Sequence, residues 1–166
     1  ARQSPLRTAI GGWLTPALLA AAQVSIMLAV VMSVVGIDFL RATQVALFLL
    51  LVGGAFVAIV HCLNAWLGPV GQLLGLVLLV LQLASAGGTF PWQTLPGSLQ
   101  VLHQVLPMSY AVDGIRHLMY GASLENLPLD IAVLIAYIVA GVALSAAAAY
   151  RRRIWRVSQI KPEIAL

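Results

Sequence analysis

The chain has 166 residues, of which 61% are apolar and only 8% are charged, where a soluble domain usually carries about 25% charged residues. A chain this apolar cannot cover its surface with polar groups in water, so composition excludes an ordinary soluble enzyme or binding domain. The formal net charge of +4 does not point to nucleic acid, because Arg151, Arg152, Arg153, Arg156 and Lys161 stand together behind the last apolar run, where basic residues set topology.

The opening Ala-Arg-Gln lacks a methionine and lacks the pattern of a secretory signal, so the expectation is a processed or excised piece of a larger chain. Four segments then meet the requirement of about 20 predominantly apolar residues for a membrane-crossing helix. They run from about Leu14 to Gly36, Thr43 to Cys62, Leu67 to Ala86 and Ile131 to Tyr150, and no charged residue lies inside them. Gln23, Gln72 and Gln82 are their notable polar residues, suited to interhelical hydrogen bonds or, more sharply, to a substrate path. Gly71 and Gly75, Ala17 and Ala21, and Gly141 and Ser145 are pairs of small residues four apart, which let helix backbones approach closely. Trp13, Trp66, Trp92 and Trp155 fall near the expected span ends, as an interfacial aromatic belt requires. His61 is expected to mark the cytoplasmic end of the second span. Cys62, the sole cysteine, excludes an internal disulfide and reads as a small buried hydrophobe.

Arg2 and Arg7 precede the first span, and the basic cluster follows the fourth. Cytoplasmic loops retain Lys and Arg, so both termini are expected in the cytoplasm, leaving Arg41 and Arg116 outside. The cluster Arg151, Arg152, Arg153 and Arg156 is then a cytoplasmic topology anchor. The loop joining the second and third spans, Leu63 to Trp66, is very short and offers little docking surface.

Between the third and fourth spans the composition changes. Gly87 and Gly88 break the third helix, and Pro91, Pro96, Pro107 and Pro128 punctuate the segment behind it. Pro96 suits the first turn of a short helix. Leu99, Leu102 and Leu106 share one of its faces, and Pro107 ends it. Ser109 suits the N-cap of a second helix, Tyr110 to Tyr120, closed by Gly121. Each helix is about half the length of a span. The segment of about 95–121 therefore reads as an extracellular re-entrant or amphipathic hairpin before the last span. Asp113 can pair with Arg116 or with His117 on one helical face. Two roles are open to these charges, a structural ion pair and a gate at membrane depth. His103 and His117 have no third ligand at suitable spacing, so no metal and no cofactor is expected.

The run from Gln82 to Gly121 resembles the C-terminal membrane region of the YhgE/Pip (phage infection protein) family and, more broadly, the last part of ABC-2-type exporter permeases. The elements carrying the resemblance are Gly87-Gly88-Thr89-Phe90-Pro91, Leu95-Pro96, Leu106-Pro107-Met108-Ser109-Tyr110-Ala111-Val112-Asp113, and Arg116. It implies a bundle of about six helices, paired short helices on the outer face, a dimer, and a separate ATP-binding-cassette subunit that hydrolyses ATP. The departures are the four spans and the lack of the large ectodomain of YhgE/Pip proteins. Spans upstream of Ala1 are expected to be missing or to belong to another polypeptide. The hairpin would then be a lid, with Phe90, Pro91, Pro96 and Pro107 as its motif and Tyr110, Asp113, Arg116 and His117 as its latch.

The sequence reading is thus an all-α membrane protein, a single transmembrane domain over 1–166, in a bacterial cell membrane. It would be a non-enzymatic permease subunit of an exporter, with lipid, a second copy and an ATPase as partners. The alternative is a scaffold of a cell-envelope or secretion assembly, or a phage receptor, without transport. An intramembrane enzyme is disfavoured, since the spans contain no Asp or Glu, and no GxxxxGK[ST] occurs anywhere.

Overall fold

The computed structural model describes residues 4–37, 39, 41–88, 92–94, 97–120 and 125–158, and all its regular structure there is helical. Helix α1 spans Pro5–Val30, capped by Ser4, whose Oγ accepts the Arg7 amide at 3.3 Å. Proline at the first position and a serine cap are both start signals. They outrank apolarity, and so the helix begins nine residues before the expected Leu14. A π-helical turn, Val31–Val35, continues it to Gly36, whose φ of 73° ends the run.

Helix α2, Ala42–Leu67, and helix α3, Pro69–Ser85, are joined at Gly68 alone. The expected loop at Leu63 to Trp66 is therefore the last turn of α2. Gly68 reverses the chain with φ 60° and ψ −132°, a conformation open to glycine, and Pro69 starts the next helix at once. A Cβ on Gly71 would overlap the Leu63 carbonyl, so the tight turn depends on the absence of a side chain there.

Helix α4, Gly97–Val105, and helix α5, Pro107–Tyr120, meet at Leu106. Ser109 is not the N-cap expected of it: α5 starts at Pro107, which occupies the first turn, and Ser109 is buried within that turn. The bound of the last helix moves as well. Helix α6 runs Leu127–Ser158 rather than from Ile131, because the Asn126 carbonyl accepts the Leu129 and Asp130 amides and Pro128 fits the first turn. Of the hairpin motif, Pro107 is buried at the start of α5; Phe90, Pro91 and Pro96 lie outside the described residues, as does Gly121.

Among the described residues, three helices are long and apolar enough to cross a membrane: Pro5–Val35, Ala42–Leu67 and Leu127–Arg151. Helix α3 is shorter, 17 residues, or roughly 25 Å at 1.5 Å per residue, and is also apolar. α2 is the hub, touching α1, α3, α5 and α6. Its core partners are few: Val45, Phe48 and Ala55 with Leu118 of α5 and Leu134 of α6. Most large apolar side chains instead face outward, Leu19 being 69% and Val34 77% exposed. Lipid tails solvate such a surface, and helices satisfy their own backbone groups within it. The chain is a multi-pass membrane protein.

Candidate functional site

Two arrangements on this scaffold carry polar chemistry. The first is the hairpin, at the end of the bundle where α3 stops and α6 starts. Glycine sets its seat: a Cβ on Gly114 would run into the Phe48 ring of α2, so α5 lies directly on that ring. Leu118, one turn on, is buried in the core.

Polar bonds then fasten each side of the hairpin. Arg116 Nη2 donates to the Gly87 carbonyl at 2.6 Å, tying α5 to the end of α3, and Arg116 Nη1 lies 3.5 Å from Asp113 Oδ1. That ion pair is nearly half exposed on both partners, so its own contribution is small. The guanidinium–carbonyl bond is the stronger tie. Tyr110 OH donates to the Gln104 carbonyl at 2.6 Å, closing α5 on α4. His103 Nδ1 is 2.9 Å from the Ser85 carbonyl, and Tyr137 OH donates to the Val105 carbonyl from α6. Of the four expected latch residues, three bond within or around the hairpin. His117 stands apart, with Nδ1 buried and without a hydrogen-bond partner among the described residues.

Asp130 is a polar residue that sequence reasoning missed, because the apolar run of the fourth span starts only at Ile131. In the structure it lies in the first turn of α6, only 4% exposed, with Oδ2 unpartnered among the described residues. The signal was present: Asn126 followed by Pro128 is a helix start, and it carries Asp130 inside. Arg41, at the start of α2, likewise buries Nη1 without a hydrogen-bond partner among the described residues.

The second arrangement is a cavity of about 760 Å³ between α1, α2 and α3. Gln23, Gln72 and Gln82, noted separately in the sequence, all line it, with His61 and Asn64 of α2. Sequence reasoning missed Asn64, which falls in the expected loop. His61, expected at a span end, lies within α2, with its ring against the Gly12 backbone. Trp13, expected near a span end, is half-buried against α2, its indole nitrogen donating to the Gly54 carbonyl at 3.1 Å.

At the opposite end from the hairpin, Trp66 donates to the Leu144 carbonyl at 2.9 Å and carries the Arg151 guanidinium 5.1 Å over its ring. Of the expected anchor, Arg152, Arg153 and Arg156 continue α6, but their side chains lie outside the described residues, as does Lys161 altogether. Among the described residues no group of His, Cys, Asp and Glu side chains is placed to hold a metal ion.

A family profile described as ABC-2 family transporter protein matches residues 3–147. The uncharacterized protein YhgE of Bacillus subtilis (strain 168) is 37% identical over 82 residues, 49% of this chain and 11% of that protein. Nodulation protein J of Rhizobium meliloti (strain 1021) is 37% identical over 67 residues, 40% of this chain and 26% of that protein. The matched regions thus span only a small part of the length of these relatives. No solved structure matches.

Proposed function

Since the chain belongs to the ABC-2 family of transporter proteins, we propose that it is the permease-type membrane component of a YhgE/Pip-like exporter. The single observation that carries this is the family match, which runs from the first helix deep into the last. Helix α3 makes the fourth crossing, at the short end of the length a bilayer accepts. Both termini are cytoplasmic, as Arg7 and Arg151 favour, and the hairpin of α4 and α5 faces outward in a bacterial cell membrane.

On this reading the hairpin is a lid, and Arg116 is the tie that sets its position against α3, with Asp113 orienting the guanidinium. Tyr110 and His117 complete the latch. Two copies form the working unit, and a separate ATP-binding-cassette subunit supplies the energy. Purifying the full-length protein under mild conditions tests this: a stoichiometric ATPase should co-purify, and transport should fall when Arg116→Ala is introduced. Wild-type transport and assembly in R116A would remove the latch.

One observation favours a second reading. The α2–α3 connection is the single residue Gly68, which leaves no loop there for an ATPase to grip. A scaffold in a cell-envelope or secretion assembly, or a phage receptor, needs no such grip. Envelope proteins in place of an ATPase in the purified complex would favour that role.

A further inference from the structure

The cavity between α1, α2 and α3 has walls of two kinds. Most of its lining is hydrocarbon, with Leu76 and Leu79 of α3 among the exposed side chains along it. Set into these walls are Gln23 from α1, His61 and Asn64 from α2, and Gln72 and Gln82 from α3. Gln72 and Gln82 are ten residues apart, roughly 15 Å along a helix, so the polar groups form a row rather than a point. Among the described residues, no Asp, Glu, Lys or Arg lines the cavity.

The amide row is not consumed by the protein. Gln82 is 2% exposed, yet its Oε1 has no hydrogen-bond partner among the described residues, and the same holds for the buried Oδ1 of Asn64. Both atoms are acceptors, and buried acceptors without donors are costly. Gln23 and Gln72 are exposed on the same cavity, and lipid tails supply no hydrogen bonds to such groups. Alkyl chains alone are therefore a poor filling. A charged head group is poor as well, because the lining offers no counter-charge for it.

We propose that this cavity is a binding site for an uncharged amphiphile, with its alkyl chain on the leucine walls. Its hydroxyl groups bond to the exposed amides of Gln23 and Gln72 and donate to the buried Gln82 Oε1 and Asn64 Oδ1 as those two side chains turn toward it. A volume of about 760 Å³ suits one molecule of drug or detergent size. The assignment names a substrate class for the export reading and rests on that reading only for the step in which the bound molecule moves.

The test is photolabelling of the full-length chain in phosphatidylcholine nanodiscs with a diazirine-bearing decyl glucoside. Saturable labelling of peptides from 56–64 and 72–82 is expected, competed by plain decyl glucoside and not by decyl phosphate. Gln82→Leu should weaken saturable labelling about tenfold, the loss of one buried hydrogen bond, while Gln93→Leu, out on the hairpin side, should leave it unchanged. If Gln82→Leu fails to fold, Asn64→Leu is expected to give the same loss. Labelling that does not saturate, that decyl phosphate competes equally, or that ignores these substitutions in folded protein would overturn the site. So would a cross-link between two copies through 72–82, which would assign the cavity to a neighbouring helix. ATP-driven transport of the glucoside into vesicles holding the full-length protein with its co-purified ATPase separates the two claims: binding without movement there overturns export and keeps the site. Movement with an unlabelled cavity does the reverse.

Discussion

The two faces of α2 close against their neighbours by different means. Toward α6 a large-side-chain contact at Leu134 is joined by a close backbone approach: Ala55 and Ala58 are fully buried, and a Cβ on Gly141 would come within 2.9 Å of both the Ala58 carbonyl oxygen and its Cβ. Toward α3 the backbones come together near the turn, at Gly71, and one turn on, at Gly75, the helices meet through side chains beside the amide-lined cavity. A Cβ on Gly75 would find Val60 no nearer than 3.7 Å. Lipid tails are as apolar as leucine, so helices in a bilayer gain by close packing or by polar contacts. The α6 face uses the first means. The α3 face combines a single close point with a polar row left open, and an open polar row in hydrocarbon is where a ligand gains most.

Single substitutions of glycine by alanine break this comparison at chosen points. The largest effect is expected for Gly71→Ala, whose new methyl meets the Leu63 carbonyl, a backbone group that cannot turn aside. A loss of about 3 kcal/mol is expected from overpacking at such a site. It should appear as a lower midpoint in detergent-denaturant unfolding followed by far-UV circular dichroism. An unchanged midpoint would show that the α2–α3 turn is looser than described. Gly141→Ala comes next, at about 2 kcal/mol, because its methyl would overlap Ala58 Cβ and carbonyl oxygen at 2.9 Å, less severely than at Gly71. Read in the same experiment, it tests whether the α6 seam is the close one.

These residues also show what a single sequence can and cannot reveal. Gly71 and Gly75 present one motif, small residues four apart, yet only Gly71 meets a backbone. The motif says that close approach is possible, while the partner and the depth depend on the crossing angle, which the sequence does not encode locally. The helices themselves were legible, since long apolar runs leave few alternatives. Their ends were not, because Ser4-Pro5 and Asn126 with Pro128 start helices by capping and geometry, well ahead of the apolar stretch. The same blind spot hid Asp130. Gln23, Gln72 and Gln82 were each visible as polar residues in spans. That they share one cavity with His61 and Asn64 is set by the rotation of three helices about their axes, a tertiary property.

A smaller effect sharpens the contrast at α1. Trp13 donates to the Gly54 carbonyl from the flank of the bundle, and the α1 surface is otherwise exposed along most of its length. Trp13→Phe keeps an aromatic ring but removes the donor and part of the indole, so a loss of at least about 1 kcal/mol is expected. A loss near zero would mean that α1 is held by contact alone, as the α6 seam is.

The smallest effect is the most telling, because it has the opposite sign. Gly75 lines the cavity, and a methyl there meets only the side chains of Val60 at 3.7 Å and Leu63 at 3.9 Å, ordinary contact distances. Nothing has to move. Alanine is the better helix former by about 1 kcal/mol in water, so Gly75→Ala should leave the unfolding midpoint unchanged or raise it slightly. At Gly71, four residues away on the same helix, the same substitution should lower it. Two alanines in one motif with opposite signs mean that the backbones approach more closely at Gly71 than at Gly75, where the cavity lies. If both substitutions destabilise alike, the α2 and α3 backbones stay close along their length, and the space left for a ligand beside Gln82 disappears with the gap.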